Sequence, residues 1–150
     1  YLNMVNDQNH QISVKLSAKM DKTAQAVERL QEENFRLKGQ VGQMVDDMCR
    51  KEAERYAGSG SVLIFMDGMD ADSVRKLADA VTQTCQGCCA VFSKNADGSF
   101  KYAMGEKDGD LRQFTKEMNA KLNGRGGGKP FFVQGSVQAT EEEIRRFFEQ

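Results

Sequence analysis

The chain has 150 residues, enough for one domain with a packed core and an additional segment. Its 21 basic and 22 acidic residues nearly cancel, which argues against a protein coated uniformly with positive charge for binding nucleic acid. Any contact with RNA must therefore come from a local patch. No stretch approaches the ~18 consecutive apolar residues that a membrane-spanning helix needs, so no membrane partner is expected.

The sequence opens inside a segment that reads as a helix. It begins at Tyr1 without an initiator methionine, so we expect a piece of a longer protein. This first helix carries a short apolar stripe, formed by Leu2, Val5, Ile12 and Leu16. Asp21 or Thr23 then offers an N-cap for a second helix.

The second helix carries a heptad pattern. The apolar positions and one amide alternate spacings of three and four residues: Val27, Leu30, Asn34, Leu37, Val41, Met44 and Met48. Asn34 takes an a position, where a buried amide can fix the register of a two-stranded coil at some cost in stability. The pattern predicts either a coiled coil that forms a homodimer or an antiparallel helical hairpin within one chain, and periodicity does not separate the two.

Gly58-Ser59-Gly60 ends this helical part. We therefore predict a helical hairpin or coiled-coil arm over residues 1–57 and an α/β domain over residues 58–150.

The second part alternates strand and helix. The predicted strands are Ser61–Met66, Cys88–Ser93, Phe100–Met104 and Phe131–Val137, with a hairpin turn at Asp97-Gly98. The predicted helices start at Asp70 or Asp72, at Asp108 or Asp110, and at a capping box of Thr140 and Glu143. The order is β-α-β-β-α-β-α, an α/β (α+β) domain with a mixed sheet. Because the first strand is continuously apolar, its sheet should be covered on both faces.

Glycine and positive charge concentrate in the run Gly124–Gly135. Four of the 14 glycines, Arg125, Lys129 and the only proline fall within its first seven positions. Consecutive glycines allow backbone N–H groups to converge on an anion, although most glycine clusters are only turns. We predict a loop that ends a helix and contacts phosphate. A nucleoside-triphosphate loop is excluded, because Asn123 and Pro130 occupy positions that need Gly and Ser or Thr.

The cysteines do not form a zinc pattern. Cys85, Cys88 and Cys89 make one short cluster, Cys49 lies far upstream, and His10 is the only histidine. We expect reduced thiols in a cytoplasmic protein and no metal site in this chain.

The order of these segments resembles the C-terminal part of alanyl-tRNA editing proteins and alanyl-tRNA synthetases, a helical linker followed by the DHH-associated domain. Residues 11–19, 26–30 and 33–38 look like the linker. The Asp97-Gly98 hairpin and the Gly-Gly-Gly-Lys-Pro…Gln-Gly run look like the domain. The resemblance implies that the nucleic-acid contacts are Arg125, Gly126, Gly127, Gly128, Lys129 and Gln134.

By this resemblance the longer protein removes Ser or Gly mischarged onto alanine tRNA, using zinc in a separate editing domain. The family's zinc ligands lie in His-xxx-His and Cys-xxx-His patterns, and this sequence contains neither. We therefore expect no cofactor and no deacylase activity in this chain, and tRNA as its partner.

Two alternatives stay open. DHH-type phosphoesterases carry the same accessory domain, so the chain could be the part that clamps their substrate. Their glycine run commonly continues with a histidine where this sequence has Lys129, and their Asp-His-His motif is absent. The other alternative is a purely structural dimerisation domain.

Overall fold

A computed structural model describes residues 2–150 and divides into two compact units, one up to Met44 and one from Val45 to Gln150. The prediction that the chain opens inside a helix at Tyr1 lies outside the described residues. Among the described helices, none has both the length and the apolar character to cross a membrane.

The first unit is helical. It contains α1 (Leu2–Lys15), a short 3₁₀ helix (Met20–Lys22) and the larger part of α2 (Thr23–Arg55). Asp21 lies inside the 3₁₀ helix, and Thr23 is the first residue of α2, with its hydroxyl donating to the Lys19 carbonyl at 3.4 Å. Neither residue therefore has the N-cap position that the sequence suggested.

The heptad residues of α2 in this unit are not buried. Their exposed fractions run from 38% at Val27 to 71% at Met44. Ile12 and Leu2 of α1 are exposed as well, so α1 does not bury this stripe. A hairpin that hides the heptad residues within one chain is thus not what the structure shows. Phe35, next to Asn34 and 83% exposed, adds to the apolar surface of α2, and the heptad pattern did not include it.

The second unit is a five-stranded mixed sheet with helices on both faces. Its elements after α2 are β1 (Val62–Asp67), α3 (Ala71–Thr82), β2 (Cys89–Lys94), β3 (Phe100–Gly105), α4 (Arg112–Lys121), β4 (Arg125–Lys129), β5 (Phe132–Val137) and α5 (Glu141–Phe148). The strand order is β1-β2-β3-β5-β4, with β1 and β2 parallel and all other pairs antiparallel. The α/β fold class and the mixed sheet are confirmed.

The glycine run is a strand, not the loop that the sequence predicted. Arg125–Lys129 forms β4, and Pro130-Phe131 makes a two-residue turn into β5. The element order is therefore β-α-β-β-α-β-β-α, with one strand more than predicted. Phe131 consequently belongs to the turn, whereas the prediction placed it inside the last strand.

The core has two layers, one on each face of the sheet. Leu77 and Val81 of α3 pack with Ile64 and Val91 on one face. On the other face α4 and α5 cover a second apolar cluster, which includes Phe92, Tyr102, Met118, Val133 and Ile144. The expectation that helices cover both faces of the sheet is confirmed.

The local signals at helix starts are largely confirmed. Asp70 caps α3 by accepting from the Ser73 amide at 2.7 Å, and Thr140 and Glu143 form the capping box of α5. The prediction for α4 is wrong, because its N-cap is Leu111 and no side chain caps it. Asp110 instead accepts from the Arg112 guanidinium and amide, and these hydrogen bonds lower the pKa of Asp110 to about 2.

Candidate nucleic-acid interface

The predicted contact residues lie at one edge of the sheet. In the part of the chain that the structure describes, β4 is the terminal strand, so one side of its backbone faces away from β5 and pairs with no other strand. All five β4 residues are exposed. An edge strand offers backbone N–H and C=O groups to a partner. Gln134 lies opposite Gly127 on β5, so the predicted residues are brought together although their element is different.

Two of the three glycines are required by packing. A Cβ at Gly126 would lie 2.4 Å from both the Gln134 carbonyl oxygen and the Tyr102 hydroxyl. A Cβ at Gly128 would lie 2.4 Å from the Phe132 carbonyl oxygen. Most of these neighbours are backbone atoms, which have little room to move.

Gly127 differs from its neighbours. A Cβ there would meet no heavy atom within 4 Å, and the backbone of Gly127 has no positive φ. Neither packing nor backbone conformation therefore demands glycine at this position. Because Gly127 has no side chain, its face of the strand is left uncovered at position 127.

A polar side chain of α4 ties β4 to β3. The Tyr102 hydroxyl donates to Asn119 Oδ1 at 3.1 Å, and Asn119 Nδ2 donates to the Gly126 carbonyl at 3.3 Å. Burial raises the pKa of Tyr102, so its hydroxyl keeps the proton it donates. The Gly124 amide also donates to the Asn119 carbonyl, at 2.8 Å. These hydrogen bonds fix the start of β4 against α4.

Strand alternation separates the side chains of β4. Arg125, Gly127 and Lys129 lie opposite Ser136, Gln134 and Phe132, which share the sheet face of α3. Gly126 and Gly128 belong to the other face. The two cations and the unconstrained glycine therefore lie on one face of the strand.

On this face α3 and the β4–β5 hairpin border a groove of about 350 Å³, which we call the β4 groove. It is lined by Arg75, Asp79, Gly127, Gly128, Lys129, Phe131, Phe132 and Gln134. Of the predicted residues, the groove unites Gly127, Gly128, Lys129 and Gln134. Arg125 shares the face, and Gly126 does not.

The cations of this face differ in whether they form a salt bridge. Within residues 2–150, neither Arg125 nor Lys129 takes part in a salt bridge. Arg75 is paired with Asp72 at 2.9 Å. Asp79 is the one acidic side chain of the groove lining. The arrangement suits an anionic chain better than a single buried phosphate, because the groove is open and its cations are exposed.

Sequence reasoning missed three features of this face. Lys101 of β3 lines a second groove of about 320 Å³ that shares Gln134 with the first. Its signal was the alternation Phe100-Lys101-Tyr102, which turns a lysine to the face opposite two buried aromatic rings. Arg75 and Asp79 of α3 gave no signal, since only the tertiary fold brings that helix to the groove. Phe131, the third, follows the only proline of the chain.

The cysteines lie away from this groove. Cys49, Cys85 and Cys89 are buried, Cys88 is half-buried, and all four are free thiols. Burial raises the pKa of Cys88 to about 12. In the part of the chain that the structure describes, no three histidine, cysteine or acidic side chains are grouped to hold a metal ion.

Comparisons with known proteins agree with this architecture. The model of the DHHA1 domain, the DHH-associated domain named above, matches residues 59–150. The chain is 28% identical over 123 residues to the alanine–tRNA ligase of Thiobacillus denitrificans, which covers 77% of the chain and 14% of the ligase. It is 26% identical over 136 residues to the alanine–tRNA ligase of Shewanella loihica, with 87% of the chain and 15% of the ligase covered.

A solved structure shares the fold. The C-Ala domain from Aquifex aeolicus alanyl-tRNA synthetase superposes with a TM-score of 0.52 at 19% identity. The match covers 62% of the chain and 92% of that domain. The match thus covers nearly all of that solved domain, whereas the chain spans only about a seventh of the two ligases.

Proposed function

Because the chain belongs to the DHHA1 domain family, we propose that it is the tRNA-binding and oligomerisation part of a longer alanyl-tRNA-editing or alanyl-tRNA-synthetase-related protein. Alanine tRNA is the partner that the ligase relatives suggest. The chemistry, hydrolysis of mischarged aminoacyl-tRNA at a zinc-holding editing domain, would belong to the rest of that protein.

One observation carries the RNA-binding proposal: β4 is an exposed edge strand whose three glycines lie between two cations that form no salt bridge in the described residues. Gly127 has no side chain, so a phosphate can lie close against its face of the strand. The backbone N–H and C=O of Gly127 pair with Gln134, whereas those of Gly126 and Gly128 point away from β5. Arg125 and Lys129, on the same face, supply charge that follows a phosphate chain. Contacts of this kind give affinity without reading sequence, which suits an accessory domain that positions a tRNA for a catalytic domain.

The salt dependence of tRNA binding tests this proposal. Alanine tRNA would be titrated at several salt concentrations with the wild-type chain and with Arg125→Ala/Lys129→Ala. Each lost phosphate contact lowers the slope of log affinity against log salt by about 0.7–0.9. We expect weaker binding and a slope reduced by about 1–2.

A charge-matched control is available in the same unit. Lys107 and Lys116 are exposed and lie outside the linings of both grooves, so Lys107→Ala/Lys116→Ala removes the same charge elsewhere. The control should keep the slope of the wild type. Equal losses in both double variants, or no loss in either, would contradict an interface at β4.

The same assay addresses the phosphoesterase alternative. A short oligonucleotide or a cyclic dinucleotide would be added as a competitor of labelled tRNA. Displacement of tRNA by an equal concentration of cyclic dinucleotide would favour a substrate clamp. The tRNA-binding proposal instead requires that tRNA outcompete the small ligand, because only the longer chain reaches both Arg125 and the β4 groove.

The exposed heptad residues of α2 support a second role, self-association. Burial of a continuous apolar stripe is the dominant driving force for helix association, and α1 leaves this stripe uncovered. We propose a homodimer through Val27, Leu30, Asn34, Leu37, Val41 and Met44. Sedimentation velocity should show a mass that rises with concentration. Asn34→Leu should stabilise the assembly but broaden its stoichiometry, and a monomer at high concentration would contradict the role.

A further inference from the structure

The second unit leaves one large apolar side chain exposed to solvent. In Val45–Gln150, all of which the structure describes, Phe131 is the only large apolar side chain that remains exposed, with 50% of its surface accessible. Its neighbour Phe132 packs toward the core instead. A phenylalanine at a hairpin turn contributes nothing to that turn's geometry. A single exposed apolar residue is ordinary, so a contact role depends on what surrounds the ring.

The turn that carries Phe131 is held firmly. The Phe131 carbonyl accepts from the Glu106 amide at 3.0 Å, and the Pro130 carbonyl accepts from the Leu111 amide at 2.7 Å. Proline also fixes its own φ. The backbone that carries the ring is therefore already fixed. Little backbone conformational entropy is lost when a ligand stacks on the ring.

The surroundings of the ring favour a nucleic acid. Phe131 lines the β4 groove, and Lys129 Nζ lies 5.8 Å from the centre of its ring. Gly127, which has no side chain, lines the same groove. A flat apolar ring with a cation near it and a strand face without a side chain matches the two parts of a nucleotide, the base and the phosphate.

We propose that Phe131 is a stacking platform for one unpaired nucleobase of the bound RNA. This rests on the proposed function and adds to it a contact with a base, where Arg125 and Lys129 contact phosphate. Since every base has a π face, the platform selects unstacked bases over paired helix without choosing among the four. The interface therefore prefers RNA that presents a looped-out base to regular duplex.

The test compares two oligonucleotides that differ only in their bases. A single-stranded RNA hexamer and the same hexamer with abasic ribose at each position carry equal phosphates. The wild-type chain should bind the hexamer with bases roughly 5- to 100-fold more tightly, the range of one stacked base. Phe131→Leu should abolish this preference while binding the abasic hexamer as before. Phe131→Tyr, which keeps the ring, should retain the preference.

A matched control lies in α2. Phe35 is even more exposed, at 83%, but lies outside the β4 groove, so Phe35→Leu should leave the preference intact. Circular dichroism of each variant confirms that it folds.

The outcomes separate the two proposals. If Phe131→Leu binds both hexamers like the wild type while Arg125→Ala/Lys129→Ala weakens both, the platform is refuted and the phosphate interface stands. If the wild-type chain binds neither hexamer nor tRNA at low salt, the proposed function fails and the platform with it.

Discussion

Alanine at each of the three consecutive glycines of β4 separates the structural demand on the strand from its proposed contact with RNA. The sites are neighbours, and the substitution adds the same single methyl group to each. At Gly126 and Gly128 that methyl group would lie 2.4 Å from backbone carbonyl oxygens of β5, far inside normal contact distance. At Gly127 it would meet nothing within 4 Å.

The stability changes should have opposite signs. Overpacking against atoms that move little costs typically about 1–3 kcal/mol, so Gly126→Ala and Gly128→Ala should lower the unfolding midpoint by several degrees, at roughly 4–8 °C per kcal/mol for a domain of this size. Glycine within a strand is about 0.5–1 kcal/mol worse than alanine. Gly127→Ala should therefore raise the midpoint by a few degrees.

Across the three variants, the change in affinity for tRNA should not follow the change in unfolding midpoint. If a phosphate lies against Gly127 in order to reach Arg125 or Lys129, the methyl group of Gly127→Ala blocks that approach. The loss of one charge-assisted hydrogen bond, about 1.5–3 kcal/mol, corresponds to roughly 10- to 100-fold weaker binding. Thermal unfolding by circular dichroism and titration of labelled tRNA measure the two effects on the same sample. A stabilised Gly127→Ala variant that binds tRNA like the wild type would refute the contact.

Three further outcomes follow from individual residues. Asp79→Asn removes the acidic side chain of the β4 groove and should raise affinity for tRNA roughly two- to fivefold at low salt, the effect of one exposed charge, in the same titration. Gly39→Ala should stabilise α2 by about 0.5–1 kcal/mol in thermal unfolding, because its Cβ meets no atom within 4 Å; a lower midpoint would show that Gly39 is packed in an assembly. Because burial raises the pKa of Cys88 to about 12, very little of its thiol is ionised at pH 8, so peptide mapping should find Cys88 alkylated slowly in the folded chain and rapidly in urea.

Sequence patterns located the elements whose signals are local. Asp70 and the Thr140–Glu143 box mark helix starts through side chains that accept from amides three residues along, and both appear in the structure. The apolar run of β1 predicted a sheet covered on both faces, since alternation is absent where no face meets water. These inferences needed only residues close together in the chain.

β4 could not be found in the same way. Arg-Gly-Gly-Gly-Lys has no β-branched or aromatic residue, and glycine is depleted in strands. The reason for glycine there is the crowding of Gly126 by Gln134 and Tyr102, which lie on two other strands. That constraint exists only after β3 and β5 have paired, so composition alone indicates a loop.

The boundary of β5 decides what the site contains. The sequence prediction began this strand at Phe131. In such a strand Phe131 and Phe132 would be consecutive residues whose rings lie on opposite faces of the sheet. The structure begins the strand at Phe132 and places Phe131 in a two-residue turn. A strand residue packs beside the residues of the neighbouring strands, whereas a turn residue lies at the end of the hairpin, so this boundary decides where the Phe131 ring lies. For this reason Arg125, Lys129 and Gln134 could be proposed from the glycine run, whereas Phe131 emerged only from the geometry of the hairpin.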